Sequence, residues 1–209
     1  TPSLFQFPVS PVDFAGITLD LADIKNKAQN NGGIYYGPTS GYGYRVVFNG
    51  NSTIDVYRVT NTYNYRSESS SEGVHWGERN VINNTTFLAT ETIDPTCPVL
   101  FFEDKLWISG TLGQKVAIAA ADLNSGQQTN IVVGNEGEDL RYLPGTNAGL
   151  LAIAEDDIDI GVDVPQDTQI DGIYIAQNGR FGRNYYNTNW FNGTYDQYVL
   201  RDSLTRLGT

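Results

Sequence analysis

One short pattern recurs along the second half of the chain, and it limits the possible folds more than any other feature. Phe101-Phe102-Glu103-Asp104-Lys105-Leu106-Trp107-Ile108-Ser109-Gly110 aligns with Ile153-Ala154-Glu155-Asp156-Asp157-Ile158-Asp159-Ile160-Gly161. Both read apolar pair, Glu-Asp, one residue, apolar, any residue, Ile, then a small residue. The two stand 52 residues apart. A third copy, Ile175-Ala176-Gln177-Asn178-Gly179-Arg180-Phe181-Gly182, follows 22 residues after the second, and Ile118-Ala119-Ala120-Ala121-Asp122 is a weaker fourth. In such a pattern a short strand ends at a polar turn and another begins at a new angle. Its apolar residues are buried only when a similar coil lies above or below. A coil of roughly 20 to 25 residues is ordinary for a stacked architecture. The longer offset then fits two coils plus an insertion such as Leu123 to Thr129. The fold class expected is mainly β: a right-handed parallel β-helix, or solenoid, over residues 96–209. An ordinary β-sandwich with chance similarity is the competing reading.

The first half has a different texture. Residues 1–11 carry three prolines among alternating apolar residues and read as an extended entry segment. Ile17, Leu21, Ile24 and Ala28 recur at helical spacing, so a helix is expected over 17–29. Asp13 or Thr18 would cap it, and Asn30-Asn31-Gly32-Gly33 would stop it. From Ile34 the runs IYYG, GYRVVFNG and STIDVYRVT predict strands, and Asn49-Gly50-Asn51-Ser52 predicts a hairpin. Asn64 to Arg79 is Ser-rich and reads as a long loop. NVINNTTFLATETI offers another strand or two. Residues 1–95 are thus expected to form a helix packed on a small antiparallel sheet, capping the solenoid. Beyond Pro95-Thr96-Cys97-Pro98 the strands become very short, the last of them QYVLRDSL. The final coil is expected to lie exposed, its edge open to another chain or a further segment.

Charge and composition narrow the function. The net charge of −11 repels phosphate and argues against nucleic-acid partners and anionic membrane surfaces. Charged residues are only 18% of the chain, so Asn, Thr, Ser, Gln and Gly supply the polar surface, a mix common in secreted β proteins. Cys97 has no partner for an intrachain disulfide and reads as a small half-buried residue. No apolar run is long enough for a membrane span. The start at Thr1 suggests a trimmed or processed protein with an anchor or signal upstream.

Few residues suggest chemistry, and no catalytic residue is assigned. His75 is the single histidine, so neither a zinc site nor a nucleophilic triad has a second imidazole, and it reads as a surface loop residue. Acidic residues are dense at Glu155, Asp156, Asp157, Asp159, Asp163, Asp167 and Asp171. Paired carboxylates could cleave polysaccharide. Asp156, Asp157 and Asp159 could hold Ca²⁺, but their spacing is not an EF-hand loop. Solvated turn positions are the preferred reading, and no cofactor is expected. Tyrosines 35, 36, 42, 44, 63 and 65 crowd the first half. The candidate contact residues are Tyr185, Tyr186, Trp190, Phe191 and Tyr195, because flat rings beside amides suit sugars or protein partners. The plainer reading is a loop packed across the solenoid. Sequons at Asn51, Asn83, Asn84 and Asn192 are frequent by chance in a chain rich in Asn and Thr.

The succession LFFEDKLWISGTLGQKVAIAAADL, GLLAIAEDDIDIG and IDGIYIAQNGRFGR resembles the PilX-like, pilus-assembly-associated surface proteins of bacteria. The upstream stretches VDFAGITLDLADIKNKAQ and GGIYYGPTSGYGYRVVFN resemble the helix-then-sheet region of the same proteins, so the likeness runs from about residue 10 to 207. It implies a non-catalytic, extracellular structural or adhesive role. The partners would be other pilus or cell-surface subunits, or surface glycans. Attachment to a membrane would come through a pilin-like helix outside this sequence, and relatives continue past the stretch equivalent to YVLRDSLTRLGT. A carbohydrate-active β-helix enzyme, a tailspike-like depolymerase or a glycan-binding module are the alternatives.

Overall fold

The computed structural model describes residues 21–63, 65–69, 73–78, 80–124, 129–165 and 167–184. These are mainly β, with one helix and fifteen strands. The helix α1 (Leu21–Asn30) presents Leu21, Ile24 and Ala28 on its buried face, the spacing expected from the sequence. The expected first turn and both candidate caps lie outside the described residues. After the helix the chain turns at once into β1 (Ile34–Tyr36). Gly33 permits this, since a Cβ there would stand 2.5 Å from the Val99 carbonyl oxygen and 2.7 Å from the Ala28 Cα.

The strands that follow are β2 (Gly43–Asn49), β3 (Thr53–Thr62), β4 (Tyr65–Ser69), β5 (Gly73–Glu78), β6 (Ile82–Thr92), β7 (Val99–Phe102), β8 (Leu106–Leu112), β9 (Lys115–Ala120), β10 (Ile131–Val133), β11 (Leu140–Tyr142), β12 (Gly149–Ala154), β13 (Ile158–Ile160), β14 (Ile173–Ala176) and β15 (Phe181–Gly182). They form two large sheets. The first has the order β1-β7-β9-β12-β14 and is parallel throughout. The second has the order β15-β13-β10-β8-β2-β3-β6, with β11 also on β8. It is parallel from β15 to β2 and antiparallel from β2 through β3 to β6. The second sheet is therefore mixed, and together the sheets do not make the single closed parallel helix expected from the repeat.

The alternation between sheets is regular. β1 leads into β2, β7 into β8, β9 into β10, β12 into β13 and β14 into β15, and each pair stacks on the pair before it. One ladder of the first sheet runs Tyr36, Phe102, Ala120, Ala154, Ala176. The 52 residues between Phe102 and Ala154 thus cross one intervening strand of the first sheet, β9, while most of the insertion expected at Leu123–Thr129 lies outside the described residues.

Apolar runs are continuous where both faces of a strand are covered. In β7, Leu100 and Phe102 point between the two sheets, while Phe101 packs with Leu21, Ile24 and Ala28 of α1. In β8, Leu106, Ile108 and Leu112 face the inter-sheet core, and Trp107 joins Val59, Ile82 and Val132 on the opposite face. Full burial of each such side chain is worth about 1.5–3 kcal/mol.

Two expectations about the first half need correction. β1 and β2 are not confined to a separate antiparallel cap, because they pair in parallel with β7 and β8, and both sheets run through residue 96. The alternating hydrophobic pattern identifies a half-buried strand without saying which neighbours it takes on each edge. The stretch read as a long Ser-rich loop instead holds β4 and β5, paired antiparallel. Its serines have little strand propensity, which hid the pairing. The hairpin at Asn49–Ser52 stands as expected, with Phe48 opposite Ile54.

Candidate functional site

Where each strand of the first sheet hands over to its partner in the second, the chain makes a polar turn. These turns stack as the strands do. Glu103 donates its backbone N–H to Tyr36 O at 2.9 Å, Ala121 to Phe102 O at 3.1 Å, Glu155 to Ala120 O at 3.0 Å and Gln177 to Ala154 O at 3.0 Å. The stacked corner leaves a cleft of about 530 Å³ lined by Thr39, Asp104, Asp122, Thr129, Asn130 and Asp156, with Pro38, Glu103 and Lys105 beside them.

The carboxylates of the repeat do specific work in these turns. Asp104 accepts the backbone N–H of Thr39 at 3.2 Å, Glu155 that of Asp122 at 2.9 Å, and Asp157 that of Arg180 at 2.7 Å. The same arrangement recurs elsewhere around the stack. Asp139 accepts the N–H of Gln169 at 3.0 Å, Asp163 that of Glu136 at 2.9 Å and Asp171 that of Tyr142 at 2.8 Å. Each joins one level of the stack to an adjacent one. Glu155, Asp157, Asp163 and Asp171, read from the sequence as solvated turn positions, are instead acceptors for the backbone of a neighbouring turn. Charge-assisted hydrogen bonds of this kind are among the stronger ones.

Glu103 is buried at the head of the cleft, held by an ion pair with Lys25 and by the Tyr35 hydroxyl, which donates to it at 2.5 Å. Burial, with the neighbouring Glu103 charge, pushes the Tyr35 hydroxyl up to about 12, so it stays a neutral donor. Burial also raises Asp104 above the ordinary carboxylate range, and Asp122 adds to this, while the N–H groups of Lys105 and Thr39 oppose it.

The Ca²⁺ candidates do not converge. Asp156 lines the cleft, Asp157 is turned to the backbone of Arg180, and Asp159 is buried on β13. Asp159 accepts a hydrogen bond from Asn80 Nδ2 at 3.0 Å and lies 3.8 Å from the Arg180 guanidinium. Among the described residues no group of three or more His, Cys, Asp or Glu side chains is placed to hold a metal ion. Asn80 ties this region together, since Lys105 Nζ donates to its side chain and Trp107 Nε1 donates to its carbonyl at 2.7 Å.

The aromatic candidates Tyr185, Tyr186, Trp190, Phe191 and Tyr195 lie outside the described residues, as does Asn192. In the first half, Tyr36 and Tyr44 pack on Phe102 in the core, with Tyr36 stacked at 5.4 Å, and so offer no open platform for a sugar. Tyr42 and Tyr63 are exposed. His75 lies on β5 rather than in a loop. Cys97 is half-buried, its sulfur 3.9 Å from the Lys27 carbonyl. Thr39, Asp122 and Asn130 were not singled out as site residues from the sequence. The recurring Glu-Asp pair was the signal that marked their corner.

No protein-family model, curated protein or solved structure matches the chain.

Proposed function

We propose that this chain is a non-catalytic structural or adhesive protein of the bacterial cell surface, associated with pili or similar assemblies. Its five stacked strand pairs act as the rungs of a β-solenoid body that holds the corner turns in a fixed row for contact with other surface subunits. The observation that carries this reading is the use of the repeat's acids. Asp104, Glu155 and Asp157 each accept a backbone N–H from a neighbouring turn. A carboxylate committed to such a bond serves rigidity better than proton transfer. The test is antibody labelling and protease shaving of intact cells of the organism that encodes the chain. Surface accessibility is expected, and a protein found only inside the cells would overturn the proposal.

A second reading, a carbohydrate-active or glycan-binding module, draws on the cleft itself. Asp104 is raised, while Asp122 and Asp156 line the same space beside Thr39, Thr129 and Asn130. A glycosidase needs one protonated and one ionised carboxyl group flanking the bond. Release of reducing ends from a polysaccharide panel, lost in Asp104→Asn, would establish this reading. Glycan binding without turnover would support the module alone.

A further inference from the structure

A buried polar cluster lies on the outer face of the second sheet. Trp107, Val132 and Asp159 are register partners on β8, β10 and β13, so their side chains form one outward ladder. Asn80, on the stretch that leads into β6, lies across this ladder and is fully buried. Its backbone carbonyl accepts the Trp107 indole N–H at 2.7 Å. Its side-chain nitrogen donates to Asp159 Oδ2 at 3.0 Å, and its side-chain oxygen accepts from Lys105 Nζ. The Trp107 ring lies 5.3 Å from the same Lys105 nitrogen, and the Arg180 guanidinium lies 3.8 Å from Asp159 Oδ1. Lys105 is half-buried, and Asp159 is 3% exposed.

A primary amine held against a carboxamide, with a carboxylate on the amide nitrogen, has the parts of an acyl-transfer site. Lys105 Nζ touches the oxygen bonded to Asn80 Cγ, so nucleophile and electrophile are already neighbours. The attacking form is the neutral amine. Asp159 touches the nitrogen that would leave, and an amide nitrogen must gain a proton to depart. Burial of Asn80 and Asp159 keeps bulk water from competing for the same carbon. A network that only satisfied buried groups would need no amine at this position.

We propose that Lys105 and Asn80 join in an intramolecular isopeptide bond, formed by the chain itself with Asp159 as the catalytic carboxylate. The Nζ–Cγ bond forms and the Cγ–Nδ2 bond breaks. Two protons leave the Lys105 ammonium, are relayed by Asp159 and end on Nδ2, which departs as ammonium. Nothing is oxidised or reduced, and no co-reactant is consumed. The bond fastens the start of β6 to the start of β8, so the antiparallel ribbon of β3 and β6 is tied covalently to the parallel stack. This goes beyond the proposed surface role and does not depend on it.

Mass spectrometry of the full-length protein tests it. The intact wild-type mass should fall short of the sequence mass by one ammonia in most molecules. Trypsin then locates the loss, because no Lys or Arg lies between Asn80 and Lys105. An acylated Lys105 is not cut, so one fragment should run from Asn80 to Lys115, lighter by one ammonia. Further cleavage after Glu91 and Glu103 should leave the pieces that hold Asn80 and Lys105 joined. Full mass with ordinary cleavage after Lys105 would overturn the proposal, as would an ammonia loss that maps to another asparagine. The wild-type measurement needs no variant to fold. Lys105→Arg keeps the positive charge beside Trp107 without a primary amine, and should show the full mass. Asp159→Asn should slow bond formation at least about a hundredfold, as for loss of a general acid–base group. Linkage at the wild-type rate in that variant would overturn the role given to Asp159.

Discussion

The carboxylate of Asp163 accepts the backbone N–H of Glu136 at 2.9 Å, joining two adjacent levels of the stack, while its other oxygen is buried without a hydrogen-bond partner among the described residues. Burial pushes this carboxyl up to about 6, the Glu136 N–H and the Arg45 charge oppose the rise, and the Glu136 charge adds to it. The folded state therefore holds the proton more tightly than the unfolded chain, whose carboxyl has its ordinary value of 3.8. Its stabilising contribution is complete below that value and is lost as pH rises through about 6. Asp163→Asn cannot ionise and can still accept the Glu136 N–H. It should match the wild type near pH 4 and exceed it near pH 8 by on the order of 1–3 kcal/mol. Urea unfolding of both proteins across this range checks the sign, and a wild type that gained on the variant as pH rose would contradict it.

Asp157 offers a cleaner measure of what a turn carboxylate contributes. Asp157→Ala removes the acceptor for the Arg180 N–H and should cost about 1.5–3 kcal/mol, as for hydrogen bonds to charged groups. Asp157→Asn keeps an acceptor and should cost less. Denaturant midpoints order the three proteins, and faster exchange of the Arg180 amide in the alanine variant would localise the effect.

Trp107 is fully buried on the outer face of the second sheet and donates its indole N–H to the Asn80 carbonyl. Trp107→Phe keeps most of the apolar contact but removes that donor. Leaving a buried carbonyl short of a partner costs about 1–3 kcal/mol, so a loss of that size is expected in thermal or urea unfolding.

Calcium should not stabilise the described fold. Asp157 and Asp159 already accept hydrogen bonds from Arg180 and Asn80. Millimolar Ca²⁺ or excess chelator should leave the melting temperature within about 1 °C, whereas saturation of a real site at a hundredfold excess over Kd would add about 2.7 kcal/mol. Scanning calorimetry with and without the ion distinguishes these outcomes.

The repeat was legible because its chemistry is local. An apolar pair, an acidic turn and a new apolar start can be read residue by residue, and the Ile153–Ile175 and Ala154–Ala176 alignments are register partners in the first sheet. The helix was legible for the same reason, through Leu21, Ile24 and Ala28. Pairing across long separations was not. Nothing within IYYG or GYRVVFNG states that these strands take parallel neighbours more than sixty residues away. The purpose of the acids was hidden too. A turn rich in Asp looks solvated until the N–H it accepts is known to come from another turn, as Asp122 does for Glu155. The cleft arises only from the stacking of such turns, so its lining could not be read from any one of them.

The regular hand-over from one sheet to the other also has a mechanical consequence. Where successive levels are joined by backbone ladders, side-chain acceptors and a shared apolar core, a pull along the stacking axis loads the levels in series. Each can peel away without disturbing those still stacked beyond it. The 22 residues between Ile153 and Ile175 would then pay out roughly 70 Å of slack, at about 3.3 Å per residue. Such a body yields stepwise under tension, lengthening in increments the size of one turn of chain before it fails.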